Sequence, residues 1–207
     1  MSTKSHWEKI YMEKSSDQVS WTQEVPTTSI KFFNNYNIDK DSPIIDIGGG
    51  ESKFVDYLIE NKYKNISVLD ISKNAIERVK DRLGKLSDNI NWIICDINDF
   101  NPKIKYSFWH DRAVFHFLTE EFQIQRYASI VNKFTQNFVV GTFSKSGPLK
   151  CSGLKISQYD KDSLEKLFCE GSLSLDHYEY INHITPFETN QNFIFCGFSS
   201  SKINDNK

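Results

Sequence analysis

Short apolar runs alternate with amphipathic stretches between about residues 43 and 143. Pro43-Ile44-Ile45-Asp46-Ile47, residues 66–70, Asn91-Trp92-Ile93-Ile94-Cys95, Lys105-Tyr106-Ser107-Phe108-Trp109 and residues 137–143 each read as a short strand rich in β-branched and aromatic side chains. Between them the apolar residues fall at helical spacing. Phe54, Val55, Leu58 and Ile59 form one such stripe in a helix expected over about 52–61, and Ala75, Ile76, Val79 and Leu83 form another. Ser72 is placed as an N-cap of that second helix and Gly84 at its end. A third helix is predicted over about 120–134. After the turn Lys145-Ser146-Gly147-Pro148 comes a helix over 160–169 packed through Leu164, Leu167 and Phe168, then two strands near 177–181 and 192–196. Strands alternating with helices predict parallel pairing, and two strands with no helix between them predict an antiparallel edge. The expected fold is α/β: a seven-stranded, mostly parallel sheet with helices on both faces and an antiparallel edge strand.

The first forty residues follow a different pattern. Trp7, Ile10 and Tyr11 share a helical face, Trp21 follows a polar turn, and Pro26 with Thr27-Thr28-Ser29 opens a helix through Ile30, Phe32 and Phe33. There is no repeat or linker. Residues 1–207 are therefore read as one domain, with 1–40 an N-terminal helical layer, 41–198 the core sheet and helices, and 199–207 a frayed polar tail.

Composition narrows the function classes. A formal net charge of −2 and a pI near 6.2 do not suit a surface built to coat nucleic acid. No apolar run reaches the roughly 18–20 residues of a membrane span. The first residues lack the apolar core of a signal peptide, which points to a cytoplasmic location, and Asn65-Ile66-Ser67 is then not expected to be glycosylated. Cys95, Cys151, Cys169 and Cys196 form no Cys-x-x-Cys pair, so reduced thiols are expected and no metal site.

Chemistry concentrates at the first strand. It carries Asp46 and runs into Gly48-Gly49-Gly50-Glu51-Ser52 before a helix, as a Rossmann-like sheet builds a nucleotide crevice at the carboxyl end of its strands. Twenty-four residues on, Ser67-Val68-Leu69-Asp70 again ends in a carboxylate, at a place suited to a ribose diol. Serine stands at the last glycine place, which breaks the three-glycine spacing expected around a pyrophosphate. A nicotinamide dehydrogenase is thereby disfavoured.

Asp46-Ile-Gly-Gly-Gly-Glu-Ser, Asp70 and Cys95-Asp96-Ile97 resemble the S-adenosylmethionine site of class I methyltransferases, over roughly residues 5–200. His6-Trp7-Glu8-Lys9-Ile10-Tyr11, Ser20-Trp21, the run from Trp109 to Leu118, Cys151-Ser152-Gly153-Leu154 and Thr185-Pro186-Phe187 look like a narrower group of small, poorly characterised methyltransferases. The resemblance implies S-adenosyl-L-methionine as cofactor, whose sulfonium carries the activated methyl group, and leaves the protein to position donor and acceptor. It implies that Asp46 meets the donor's ammonium while Gly48, Gly49 and Gly50 admit its backbone-hugging portion. Asp70 would take the ribose hydroxyls, Ile71 the adenine face, and Asp96 with Ile97 the adenine amino group. Trp7, Tyr11 and Trp21 would close over the donor as a lid.

His110, Asp111 and His116 are the candidate catalytic residues, expected just after the fourth strand where the methyl group should lie. His110 is also placed near the methionine portion. Cys151, His183 and Thr185-Pro186 are candidates for the acceptor rim, and no Asn/Asp-Pro-Pro-aromatic signature for amide or exocyclic amine acceptors is present. The reading is a methyltransferase acting on an unidentified, small-molecule acceptor. A protein lysine methyltransferase and a catalytically silent cofactor-binding module stay open as alternatives. The expected partner is a small-molecule or protein acceptor, with no nucleic acid and no membrane. The sequence does not indicate an oligomeric state.

Overall fold

The computed structural model describes residues 3–200. Seven strands form one sheet: β1 (Ile44–Ile47), β2 (Ile66–Asp70), β3 (Ile90–Ile94), β4 (Tyr106–Arg112), β5 (Thr135–Phe143), β8 (Leu173–Ile184) and β9 (Asn190–Ser200). Their order is β3-β2-β1-β4-β5-β9-β8, parallel through β5, with β9 antiparallel to β5 and to β8. The expected α/β sheet with an antiparallel edge is what the chain forms. Two two-residue strands, β6 (Lys150–Cys151) and β7 (Leu154–Lys155), pair as a separate antiparallel sheet that the sequence pattern did not predict.

The helices are α1 (Thr3–Glu13), α2 (Thr27–Phe33), α3 (Phe54–Glu60), α4 (Lys73–Leu83), α5 (Glu121–Phe134) and α6 (Lys161–Phe168). They cover the two faces of the sheet. One core layer joins Ile45, Trp109 and Phe138 of the sheet to Tyr127 and Val131 of α5 and to Leu164 of α6. The other joins Ile44, Val68 and Phe108 to Phe33 of α2, Phe54 of α3 and Ile76 of α4. Alternation along each strand creates both layers: successive side chains point to opposite faces. Thus Ile45 and Ile47 enter one core while Ile44 and Asp46 face the other side.

Several local expectations hold in detail. Ser72 caps α4 by accepting from the Ala75 N–H, and Gly84 ends that helix at φ +55°. Ser52, standing where a third glycine was expected, accepts from the Phe54 N–H and so helps to open α3. Other boundaries shift. β4 continues to Arg112, so His110 and Asp111 lie inside a strand and do not follow it. β8 and β9 are far longer than the two short strands expected, because each partners the other over an extended ladder. Ser199 and Ser200, assigned to the frayed tail, close β9; the rest of that tail, 201–207, lies outside the described residues.

Candidate functional site

The parallel strands β1, β2, β3 and β4 end along one edge of the sheet, and two adjoining cavities open there. Tyr11, Trp21, Gly48 and Arg112 line both and mark where they meet. The larger cavity begins at Asp70, Ile71, Asp96 and Ile97, at the tips of β2 and β3. It passes Gly48 and Val114 and ends against Phe117, Phe143, Cys151, Gln191 and Phe193 on the β5–β9 side. The smaller lies over the glycine turn, between Asp46, Glu51, Ser52, Lys53 and His110.

The turn is shaped by close approach. Gly48 has φ +63°, and a Cβ there would stand 2.0 Å from Cγ2 of Val114. A Cβ on Gly50, at φ +33°, would stand 2.8 Å from the Tyr11 hydroxyl and 3.0 Å from Oδ2 of Asp70. Gly49 faces inward, where a Cβ would meet Val68 at 2.4 Å and Oδ2 of Asp46 at 3.0 Å. Gly48 alone of the three lines the cavities; Gly49 and Gly50 make room for the side chains that surround it. The Gly48–Val114 contact depends on Ala113, a non-glycine residue at φ +67° that turns the chain sharply as it leaves β4.

Asp46 is buried and paired in register with His110. Its Oδ1 lies 2.7 Å from Nδ1 of His110, whose Nε2 lies 2.9 Å from the Ser29 hydroxyl on α2. An Nδ1–H donor to the carboxylate leaves Nε2 to accept from that hydroxyl, an assignment made from the network. The second oxygen of Asp46 is buried with no partner. A buried carboxylate oxygen without a donor suits a ligand's ammonium.

Asp70 is buried at the tip of β2, with Oδ1 accepting from the Ser72 N–H at 2.8 Å. Burial pushes its carboxyl up to about 7. The Ser72 and Gly50 N–H groups oppose that shift, and the negative charges of Asp46 and Glu8 add to it. Asp96 is less deep: Oδ1 accepts from the backbone and side-chain amides of Asn98, both at 2.9 Å.

The N-terminal segment roofs the site. Trp7 packs edge-on against Trp21 and Phe117, with centroids 5.6 and 5.0 Å apart, and Tyr11 is buried beneath them. Glu8 pins α1 in place. It accepts from the Ser72 hydroxyl at 2.8 Å and from the N–H groups of Lys73 and Asn74 at 2.8 and 3.1 Å, at the N-terminus of α4. Burial pushes the Glu8 carboxyl up, but the Asn74 and Lys73 amides with Ser72 outweigh it and hold the group below its usual range.

Two of the three acid–base candidates face elsewhere. Asp111 follows His110 within the strand, so its side chain turns to the opposite face. There it accepts from the Tyr127 hydroxyl at 2.5 Å and from the Val114 and Phe115 N–H groups, both at 3.2 Å, and lines neither cavity. His116 is fully buried with its ring stacked on Phe143, centroids 4.3 Å apart, and neither ring nitrogen has a partner. Burial, with the nearby Arg112 charge, pushes it down to about 3, so it is neutral and enclosed. Neither residue is placed to take a proton from an acceptor. His183 donates to or accepts nothing in the cavity; its Nε2 meets the Ser20 carbonyl at 2.7 Å, and Thr185 ties its own turn through Thr189.

Arg112, which the sequence groups with His110, Asp111 and His116 after the fourth strand, completes the site. Arg112 is half-buried where the cavities meet, donating to the Trp21 carbonyl at 2.9 Å, with its guanidinium 5.8 Å from the Phe193 ring centre. Burial pushes its pKa down to about 10. Strand alternation puts it on the same face as His110.

This strand order, with an acid at the tips of β1 and β2 and a glycine turn between β1 and α3, is the class I S-adenosylmethionine-dependent methyltransferase fold. The structure of the N-methyltransferase NodS from Bradyrhizobium japonicum, in complex with S-adenosyl-L-homocysteine, superposes with a TM-score of 0.73 at 15% identity, covering 97% of this chain and 100% of that one. In sequence, malonyl-[acyl-carrier protein] O-methyltransferase 2 of Ilyobacter polytropus is 36% identical over 77 residues, 36% of this chain and 29% of that protein. EEF1A lysine methyltransferase 2 of Mus musculus is 25% identical over 119 residues, 53% of this chain and 48% of that protein. The chain thus spans less than half the length of either relative. No family model matches it.

Proposed function

We propose that this chain binds S-adenosyl-L-methionine across the two cavities and transfers its methyl group to a small-molecule acceptor. The observation that carries the reading is the pair of buried carboxylates flanking the glycine turn: Asp70, at the nucleoside end, and Asp46, whose second oxygen lacks a donor. Asp70 would accept from the ribose hydroxyls, Ile71, Asp96 and Ile97 would hold the base, and Asp46 would meet the ammonium. His110 is then a positioning residue that holds Asp46. Trp7, Tyr11 and Trp21 exclude water above the donor.

The acceptor end also bears on the alternative. Arg112 places a positive charge in the cavity, which opposes entry of a lysine ammonium and favours a small neutral or anionic acceptor over a protein lysine. Four free cysteines fit a reducing, cytoplasmic setting, and no helix among the described residues is long and apolar enough to cross a membrane. The test is titration calorimetry with the donor and with S-adenosyl-L-homocysteine, followed by incubation of lysate with methyl-labelled donor. Saturable binding with label in the low-molecular-weight fraction is expected. Absence of binding by both ligands overturns the assignment, and label confined to a protein band transfers it to protein methylation.

A further inference from the structure

The acceptor end of the larger cavity lacks a base. Its lining contains two carboxylates, Asp70 and Asp96, and both lie at the opposite, nucleoside end. Among the described residues no histidine lines it: His110 is bonded to Asp46 and Ser29, and His116 is enclosed behind Phe143. Asp111 is on the far face of the sheet, bonded to Tyr127. The thiol of Cys151, at the acceptor end, is held protonated by burial, with only partial compensation from Ser152 and Ser20. An acceptor bound here has no side chain to remove a proton from its nucleophile.

Where that end meets the smaller cavity stands a cation with no ion-pair partner among the described residues. Arg112 is the one Lys, Arg or His lining the larger cavity, and it forms no ion pair with an Asp or Glu among the described residues. One N–H of its five is bonded to the Trp21 carbonyl, which leaves a fork for a ligand. Phe193 lies beneath the guanidinium, and Phe117, Leu118 and Phe143 make the remaining wall apolar. Gln191 lines this end with its side-chain oxygen buried and unpartnered, an acceptor for a donor on the ligand's body and not for an anion.

We infer that the acceptor is a small carboxylic acid with a compact apolar or aromatic body, bound through Arg112 and methylated on its carboxylate oxygen. The inference rests on the methyltransferase reading. A carboxylate is already the nucleophile at neutral pH. One oxygen rests on the guanidinium and the other attacks. The oxygen–methyl bond forms as the methyl–sulfur bond breaks, and that electron pair stays on sulfur. The anion and the sulfonium cation become a neutral ester and a neutral thioether, and no proton has to leave. The site therefore needs orientation and charge pairing, which Arg112 and the aromatic wall supply, and not a base.

The test uses the full chain saturated with S-adenosyl-L-homocysteine, titrated with benzoate, phenylacetate and hexanoate and with their primary amides. The acids are expected to bind and the amides not. With S-adenosyl-L-methionine, the acids that bind are expected to yield methyl esters, read by mass spectrometry. Arg112→Met is expected to weaken acid binding on the order of 30-fold or more, as loss of one partner from a desolvated charge pair does. Arg112→Lys, which keeps the charge and loses the fork, should fall between the two. Arg112 also lines the junction of the two cavities, so the S-adenosyl-L-homocysteine affinity of each variant is measured first and acid binding is compared with that site saturated.

Three results overturn the inference: no acid bound more tightly than its amide, acids bound equally by wild type and Arg112→Met, or a different division of labour at Arg112. That last case shows as a loss of S-adenosyl-L-homocysteine binding in Arg112→Met with 5′-methylthioadenosine binding retained, because only the former carries a carboxylate. Failure of the methyltransferase reading is distinguishable, since the wild type would then not bind S-adenosyl-L-homocysteine at all.

Discussion

His110 and Asp46 face each other across β1 and β4, with Nδ1 2.7 Å from Oδ1, and the Ser29 hydroxyl holds the other side of the imidazole. The pair is buried, so the carboxylate's orientation is set before any ligand arrives. One oxygen is committed to His110 and the other is buried without a donor. A preformed acceptor of this kind avoids the reorganisation that an exposed carboxylate would undergo on binding an ammonium.

Removing the charge at Asp46 should therefore act mainly on the donor's amino-acid end. Asp46→Asn is expected to weaken S-adenosyl-L-homocysteine binding by about tenfold or more, consistent with the roughly 1.5–3 kcal/mol of a hydrogen bond to a charged group. It should leave 5′-methylthioadenosine, which lacks that end, nearly unaffected. Calorimetry with both ligands checks this, and equal losses for the two would remove the ammonium assignment.

Asp70 links donor binding to pH. Its folded-state value of about 7 lies above the ordinary 3.8, so the ligand-free protein binds more protons than the unfolded chain between those values. Stability of the ligand-free protein should fall as pH rises from about 4 to 7, and Asp111, raised by burial to about 6, acts in the same direction. In the proposed role the ribose hydroxyls would bind the ionised form. Donor affinity should consequently drop by up to about tenfold per unit as pH falls below 7, with proton release on binding. Calorimetry at pH 6 and 8 in buffers of different ionisation heat reads both quantities; a flat affinity profile contradicts the ribose role.

Asp111 and His116 should behave as structural residues. Tyr127→Phe leaves an oxygen of buried Asp111 without its donor and is expected to cost about 1–3 kcal/mol of stability. The donor affinity of the folded variant should not change. His116→Phe replaces an unpartnered polar ring by an apolar one of similar shape against Phe143, and should be neutral or stabilising. Chemical denaturation of each variant, with donor titration of the folded form, makes the comparison. A large loss of turnover in a fully folded His116→Phe would return that histidine to the chemistry.

The roof of the site hangs on Glu8. Glu8→Ala removes the acceptor for the Ser72 hydroxyl and the Lys73 and Asn74 amides, and should cost about 1 kcal/mol, as loss of a helix cap does. Because its carboxyl lies below the usual range when folded, this contribution is complete above that range and disappears as pH falls through the lowered value. Hydrogen exchange should quicken in α1, and donor dissociation should quicken with it. Unchanged exchange in α1 would show that the helix is held by its aromatic packing alone.

The sheet and its core were legible because they follow from local rules. Ile44–Ile47 and Ile66–Asp70 are short apolar runs bounded by polar turns, and the stripe Ala75, Ile76, Val79 has one helical face. The tips of β1 and β2 were legible for the same reason, since a residue at the end of a parallel strand lies on a known edge. The long β8–β9 ladder was not, because its extent depends on a partner distant along the chain.

The residues at the end of β4 separate the two kinds of information. The chain order His110-Asp111-Arg112 established that polar groups gather beside the glycine turn. Whether they act together depended on β4 continuing through Arg112. Once it does, the alternation of a strand sends His110 and Arg112 to one face and Asp111 to the other. Composition and spacing determined an α/β sheet and the positions of Asp46 and Asp70 at its strand ends. Only the folded structure decided that Arg112 reaches the cavities without an acidic ion-pair partner while His116 is sealed behind Phe143. Burial and hydrogen-bond partners come from contacts between distant segments, and no local pattern encodes them.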